Sequence, residues 1–127
     1  MLENKVTVMG LARAMAAHAA ARQALIARNV AHADTPGYRP VDLPPFAAIA
    51  RELAWRDAAA GDRAAAGRRS VTLRPVEVGG AASPNGNAVS LEAEMVRAAE
   101  VRLAHDMALA IQSRLSGLVR TALGRGR

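Results

Sequence analysis

From Met95 to Leu123 an apolar or small residue recurs at every fourth position: Met95, Ala99, Leu103, Met107, Ile111, Leu115, Val119 and Leu123. The stretch holds no Pro and predicts a helix over about 89–123. Four residues turn an α-helix about 400°, so each step rotates the stripe by about 40°. A helix that faces one partner keeps its apolar line straight, with a repeat of 3.5 or 3.6 residues. This stripe instead winds through most of a turn and, joined by Val96, Leu109 and Leu118, presents apolar surface in several directions. More than one neighbour is needed to cover it. The same residues also suit an ordinary bundle helix with a wide apolar face. Ser90 is a suitable N-cap, with Glu92 and Glu94 in the first turn on different faces, and Arg120 followed by Gly124 fits the other end.

A second helical stretch runs from about Val6 to Ala31. It lacks Pro, has Gly only at Gly10, and places Val8, Leu11, Met15, Ala19, Ile26 and Val30 on one face. Its Ala-rich composition favours helix locally as well. The zone between, 32–88, holds all six Pro. Within it 46–60 (FAAIARELAWRDAAA) fits a short helix aligning Ile49 and Leu53 with Trp55 or Arg56, and 58–70 is a low-complexity Ala, Gly and Arg run. Residues 71–78 (VTLRPVEV) alternate like a strand, but Pro75 restricts them to an edge strand or an extended segment. The chain divides into an N-terminal helix (1–31), a turn and irregular middle (32–88) and a C-terminal helix (89–127). The expected class is mainly α, with a partly extended middle segment that orders on assembly.

Composition explains why partners are expected. Over half the chain is hydrophobic, but much of that is Ala and only Tyr38, Phe46 and Trp55 are aromatic. Ala buries little area, at about 25 cal/mol per Å2, to offset the entropy of ordering the chain. The net charge of +6 comes from Lys5 and dispersed Arg residues, with only Arg68 and Arg69 adjacent. Without interleaved aromatics or a binding module this argues for no nucleic-acid partner, although a basic helical nucleic-acid binder remains the alternative class. With no Cys there are no disulfides, thiol catalysis or cysteine–zinc sites. No apolar run is long enough for direct membrane insertion, and Arg13, His18 and Arg22 interrupt any secretory signal at the N-terminus. His18, His32 and His105 share no metal-ligand spacing, and His18 and His105 read as surface or interface residues of helices. Carboxylates are too scattered for an acid/base pair. No catalytic, cofactor or metal site is expected, and the protein reads as a non-enzyme.

The most specific residues cluster at 28–40, RNVAHADTPGYRP. Asn29, Val30 and Ala31 fall in the last helical turn. Asp34 and Thr35 suit side chain–backbone hydrogen bonds, and Thr35 precedes Pro, which drives it out of the helical region. Pro36 and Gly37 are the residues favoured at the centre of a type II turn, and Tyr38 brings an amphipathic ring to its exit. A helix stop followed by a tight turn accounts for most of these choices, but not for their concentration in one place.

Residues 21–46 (ARQALIARNVAHADTPGYRPVDLPPF) resemble the N-terminal signature of bacterial flagellar rod and hook proteins: Asn, aliphatic, Ala, Asn, then two residues before Thr-Pro-Gly-Tyr. Asn29, Val30, Ala31, Thr35, Pro36, Gly37 and Tyr38 match, and His32 stands where the second Asn is usual. The segment 83–95 (SPNGNAVSLEAEM), through Asn87, Val89, Leu91, Glu92, Glu94 and Met95, is similar to the lead into the C-terminal helix of proximal rod proteins. With the short length and with Asp42 and Phe46, the resemblance is best to the flagellar basal-body rod protein B (FlgB) family. It covers about 8–54 and 83–123. Val101 and His105 depart from the Asn and Tyr typical of the C-terminal helix.

The resemblance implies a structural subunit of the proximal rod, part of the helical tube that transmits torque and encloses the export channel. N- and C-terminal helices would pair as a coiled-coil-like hairpin and pack with copies of the chain, with sister rod proteins, and at the base with the adaptor between MS ring, export gate and rod. Subunits of this kind pass through the flagellar type III export apparatus without signal cleavage to the periplasmic rod of the bacterial flagellum. The 95–123 stripe would be an interface between subunits, and the 29–38 turn a joint that sets their geometry. Another proximal rod subunit is the neighbouring alternative, whereas the short middle argues against a distal one.

Overall fold

The computed structural model describes residues 2–60 and 73–125, with side chains at 8–52, 54 and 73–125. The low-complexity run beyond Ala60, with the Arg68–Arg69 pair, and the side chains of Leu53, Trp55 and Arg56 lie outside the described residues.

The fold is mainly helical. Helix α1 spans Leu2–Ala31, α2 spans Phe46–Ala60 and α3 spans Leu91–Gly124. Strands β1 (Val41–Asp42) and β2 (Val76–Glu77) form a short antiparallel ribbon with Val41 opposite Glu77 and Asp42 opposite Val76. Of the extended segment expected around 71–78, the described part (73–78) pairs after Pro75, beyond the residue that has no N–H to give. Helix α2 occupies the whole of the expected 46–60 segment.

Helices α1 and α3, of 30 and 34 residues, are about 45 and 51 Å long and pack against each other as an antiparallel hairpin. Asn29 in the last turn of α1 bonds Glu94 in the first turn of α3, and farther along the pair Ala19 and Ile26 pack on Val101 and Ala98. The seam follows a seven-residue repeat: Ala12, Ala19 and Ile26 are buried on α1, and Glu94, Val101 and Ala108 on α3. Small side chains let the two backbones lie close, in a coiled-coil-like seam with little bulk in it. Ser90 caps α3, accepting from the Ala93 N–H at 3.3 Å, with Glu92 and Glu94 in the first turn.

Two details depart from the sequence reading and a third narrows it. On α1, Ala19 and Ile26 are buried as expected and Met15 is half-buried, but Val8, Leu11 and Val30 remain exposed while Ala12 and Asn29 take seam positions. Seven-residue packing selected the small and polar residues over the aliphatic ones. Gly124 does not stop α3 in a left-handed conformation; it is the last helical residue, and Arg125, with φ −80° and ψ −8°, donates its N–H to the Thr121 carbonyl. Of the two places expected for His18, surface or interface, it takes a buried interface within the chain, with Nε2 2.8 Å from the Pro44 carbonyl and its ring tilted against Phe46.

The seam yields a direct test. Ala108 has no exposed surface, so Ala108→Leu should overpack the helix pair and lower the unfolding free energy by about 1–3 kcal/mol in urea titrations. Ala20→Leu, on the exposed side of α1, should change it by no more than about 0.5 kcal/mol.

Candidate functional site

Where α1 ends and α3 begins, four polar side chains are buried: Asn29, Asp42, Asn87 and Glu94. Buried polar groups persist only when their hydrogen bonds are made. Here they are, and through them four separate segments become one joint.

Asn29 is at the centre and has no exposed surface. Its Nδ2 donates to the Val41 carbonyl at 2.8 Å and to Glu94 Oε2 at 3.2 Å. Its Oδ1 accepts from the Tyr38 hydroxyl and from the Val41 N–H, both at 3.1 Å. A carboxamide has two donors and two lone-pair acceptors, so its capacity is filled. One side chain thereby links α1, the turn exit, β1 and α3.

The turn takes the expected form. The Tyr38 N–H donates to the Thr35 carbonyl at 3.3 Å, and Gly37 has φ +74°, the left-handed value required at the third position of a type II turn. Tyr38 stacks on His32, ring centroids 4.6 Å apart, and His32 Nδ1 lies 3.1 Å from Thr35 Oγ1. His32, which stands where the resembled signature has Asn, therefore acts as a platform for the ring. Asp34 and Pro36 lie on the exposed outside of the turn, with Val30 and Ala31 exposed at the end of α1.

The stretch before α3 closes over the turn. Asn87 Nδ2 donates to the carbonyls of His32 (2.9 Å) and Thr35 (2.7 Å), and its Oδ1 accepts from the Val89 N–H at 2.8 Å. The Gly37 N–H donates to the Asn85 carbonyl at 3.1 Å and the Ala88 N–H to the Tyr38 carbonyl at 3.0 Å. Gly86, with φ +83°, lies so near Gly37 that a Cβ on it would come within 3.3 Å of the Gly37 Cα. Two turns that both need glycine are thus pressed together.

Charges complete the joint. Asp42 accepts a forked pair from Arg22, Nε to Oδ1 at 2.8 Å and Nη2 to Oδ2 at 2.9 Å, and also the Leu43 N–H at 2.7 Å. These bonds raise the Arg22 pKa further above its ordinary value, against the opposing effect of its burial. Glu94 pairs with Arg97, whose Nε lies 3.8 Å from Asp42 Oδ2. Two buried carboxylates are therefore matched by two partly buried guanidiniums, the condition under which buried charge is tolerated.

Of the residues expected to matter, the structure brings Asn29 and Thr35 to Tyr38 into this joint with Asp42, Asn87 and Glu94. The α3 stripe lies elsewhere. Met95, Ala99, Leu103 and Met107 point outward, Ile111 and Leu115 are half-buried, and Val119 and Leu123 are exposed again. That sequence of exposure is what a drift of about 40° per step produces as a stripe passes across a partner helix. The sequence reading missed Arg22 and Arg97 as partners of Asp42 and Glu94. A charged residue at a heptad seam position was the signal available for Glu94.

A shallow groove along the hairpin is lined by Ala19, Gln23, Ala98, Ala99, Val101, Arg102 and His105. Among the described residues no group of three His, Asp or Glu side chains could hold a metal ion, and no described helix is long and apolar enough to cross a membrane.

Asn29→Ala should cost about 3 kcal/mol or more, because it strands Glu94, the Tyr38 hydroxyl and the Val41 N–H and carbonyl together. Urea unfolding measures it. Asn85→Ala, which removes the exposed Asn85 side chain as acceptor for the Asn87 N–H, should cost about 1 kcal/mol or less. Equal costs would mean that the joint does not hold the fold. Comparison with protein-family models and with curated proteins returned no match.

Proposed function

We propose that this chain is a structural subunit of the bacterial flagellar proximal rod, of the basal-body rod protein B type, and not an enzyme. One observation carries the reading. The two segments whose residues resemble that family, 21–46 and 83–95, are separated by residues 47–82 and meet in a single joint through Asn29, Asn87 and Glu94. Several of the residues that carry the likeness make the contacts, Asn29, Thr35, Gly37, Tyr38 and Asp42 on one side and Asn87 and Glu94 on the other, while Val30, Ala31, Pro36, Leu91 and Met95, which share the likeness, are exposed. A helical hairpin with a rigid base and an outward apolar stripe suits a part whose work is to hold its place among neighbours under torque.

In this reading α1 and α3 are the assembly elements, and the joint fixes the angle at which the 38–43 stretch leaves the hairpin. Copies of the chain, sister rod proteins and the adaptor at the base of the rod are the partners. The type III export apparatus delivers the chain to the periplasm.

Quantitative mass spectrometry of hook–basal bodies purified from the source cells tests this. A few copies per particle, retained when hook and filament are stripped away, are expected; absence from intact particles would sink the reading. Gly37→Val should also cost most of the motility. A β-branched residue at φ +74° is strained by about 1–2 kcal/mol or more, at the point where the two segments are pressed together.

A further inference from the structure

The seam with α1 uses one side of α3. On the opposite side Val96, Ala99, Leu103, Met107, Ala110 and Leu118 are all exposed. At 100° per residue they fall within an arc of about 100° and extend over about 33 Å, spaced by three and four from Val96 to Ala110, with Arg114 standing in the row between Ala110 and Leu118. Leu103 keeps 66% of its surface and Leu118 53%; with their neighbours they make a strip of apolar surface rather than singly scattered residues.

The charge along α3 identifies what covers this row. All four carboxylates of the helix, Glu92, Glu94, Glu100 and Asp106, precede Met107, with Arg97 (paired with Glu94) and Arg102 among them; after it the only charged residues of the helix are Arg114 and Arg120, so the first half is acidic on balance and the second basic. The row is therefore complementary to itself when reversed. Val96 and Leu118 stand eleven positions either side of Met107, and Glu100 and Arg114 seven positions either side. Glu100 and Arg114 both stand in line with Met107, about 20° to either side of it. Glu100 is 59% exposed and only 3.6 Å from Arg22, whose guanidinium is committed to Asp42.

We propose that the outward face of α3 is a docking surface for a second copy of this chain, antiparallel across a two-fold axis at Met107. Val96 of each copy packs on Leu118 of the other, Glu100 pairs with Arg114 twice, and the two Met107 side chains meet. A parallel arrangement would set acidic halves side by side unless the copies were staggered, leaving much of the row bare. Such a closed, isologous contact needs one patch only. The inference stands on α3 itself and does not depend on the rod reading; in the free chain the contact covers apolar surface outside any assembly.

Sedimentation equilibrium on the purified full chain tests it. A dimer is expected at high micromolar loading. Glu100→Arg and Arg114→Glu should each weaken association about tenfold or more, and the double reversal should restore it. Both sites are exposed, so circular dichroism should show the hairpin intact in all three. Because the chain has no Cys, Met107→Cys should oxidise rapidly to a covalent dimer, well ahead of Leu11→Cys outside the face. A monomer at every concentration, an open-ended series of oligomers, or a double reversal that fails to restore the dimer would each overturn the proposal.

Discussion

The structure depends on one carboxamide. Asn29 sits at the last seam position of α1 with all four of its hydrogen-bonding positions filled, and each partner comes from a different part of the chain or a different group of it. Such a group stabilises only modestly while its bonds are made, at about 1 kcal/mol net each, but several partners lose theirs at once when it is removed. This asymmetry turns a local helix end into a joint. The turn cannot open without stranding Tyr38, β1 cannot leave without stranding its Val41 groups, and α3 cannot withdraw without exposing Glu94.

The rest of the hairpin needs such a fixed point. Its seam is built from Ala12, Ala19, Ala98 and Ala108, with Ile26 and Val101 the larger members. Small residues at seven-residue intervals allow close approach but distinguish poorly between alignments one heptad apart. The Asn29–Glu94 bond exists in one of them. Around it, Arg22 on Asp42 and Arg97 between Asp42 and Glu94 keep the buried charge matched, so the polar end of the seam is specific where the apolar end is merely compatible. Much of the large aliphatic surface of α3 is left facing outward.

Sequence reasoning reached the elements governed by local rules. Ser90 as cap, the helix over 46–60, the extended segment limited by Pro75, and the Thr35–Tyr38 turn each follow from the preferences of a few adjacent residues, and so does the 40° drift of the α3 stripe. What escaped it was long-range. Asn29 read as part of the helix end and of the resembled motif, Glu94 as a first-turn acid and His18 as a surface or interface histidine, none of them as a buried polar contact; each is buried by a segment at least twelve positions away. The seam was hidden for another reason. In a sequence so rich in Ala, the alanines that pack cannot be told from those that do not, and the aliphatic residues drew the eye to faces that remain exposed. A seven-residue spacing shared by 12, 19 and 26 and by 94, 101 and 108 was the pattern to seek.

The most direct test of the joint is hydrogen exchange at the Asn29 carboxamide, followed by NMR on the isolated chain. Both Nδ2 protons should exchange as slowly as the most protected backbone amides of α1, since releasing them requires the turn, β1 and α3 to part together. Exchange at the rate of an exposed side-chain amide would contradict the account: the hairpin would then be held by its alanine seam, and the concentration of specific residues at its base would have another cause.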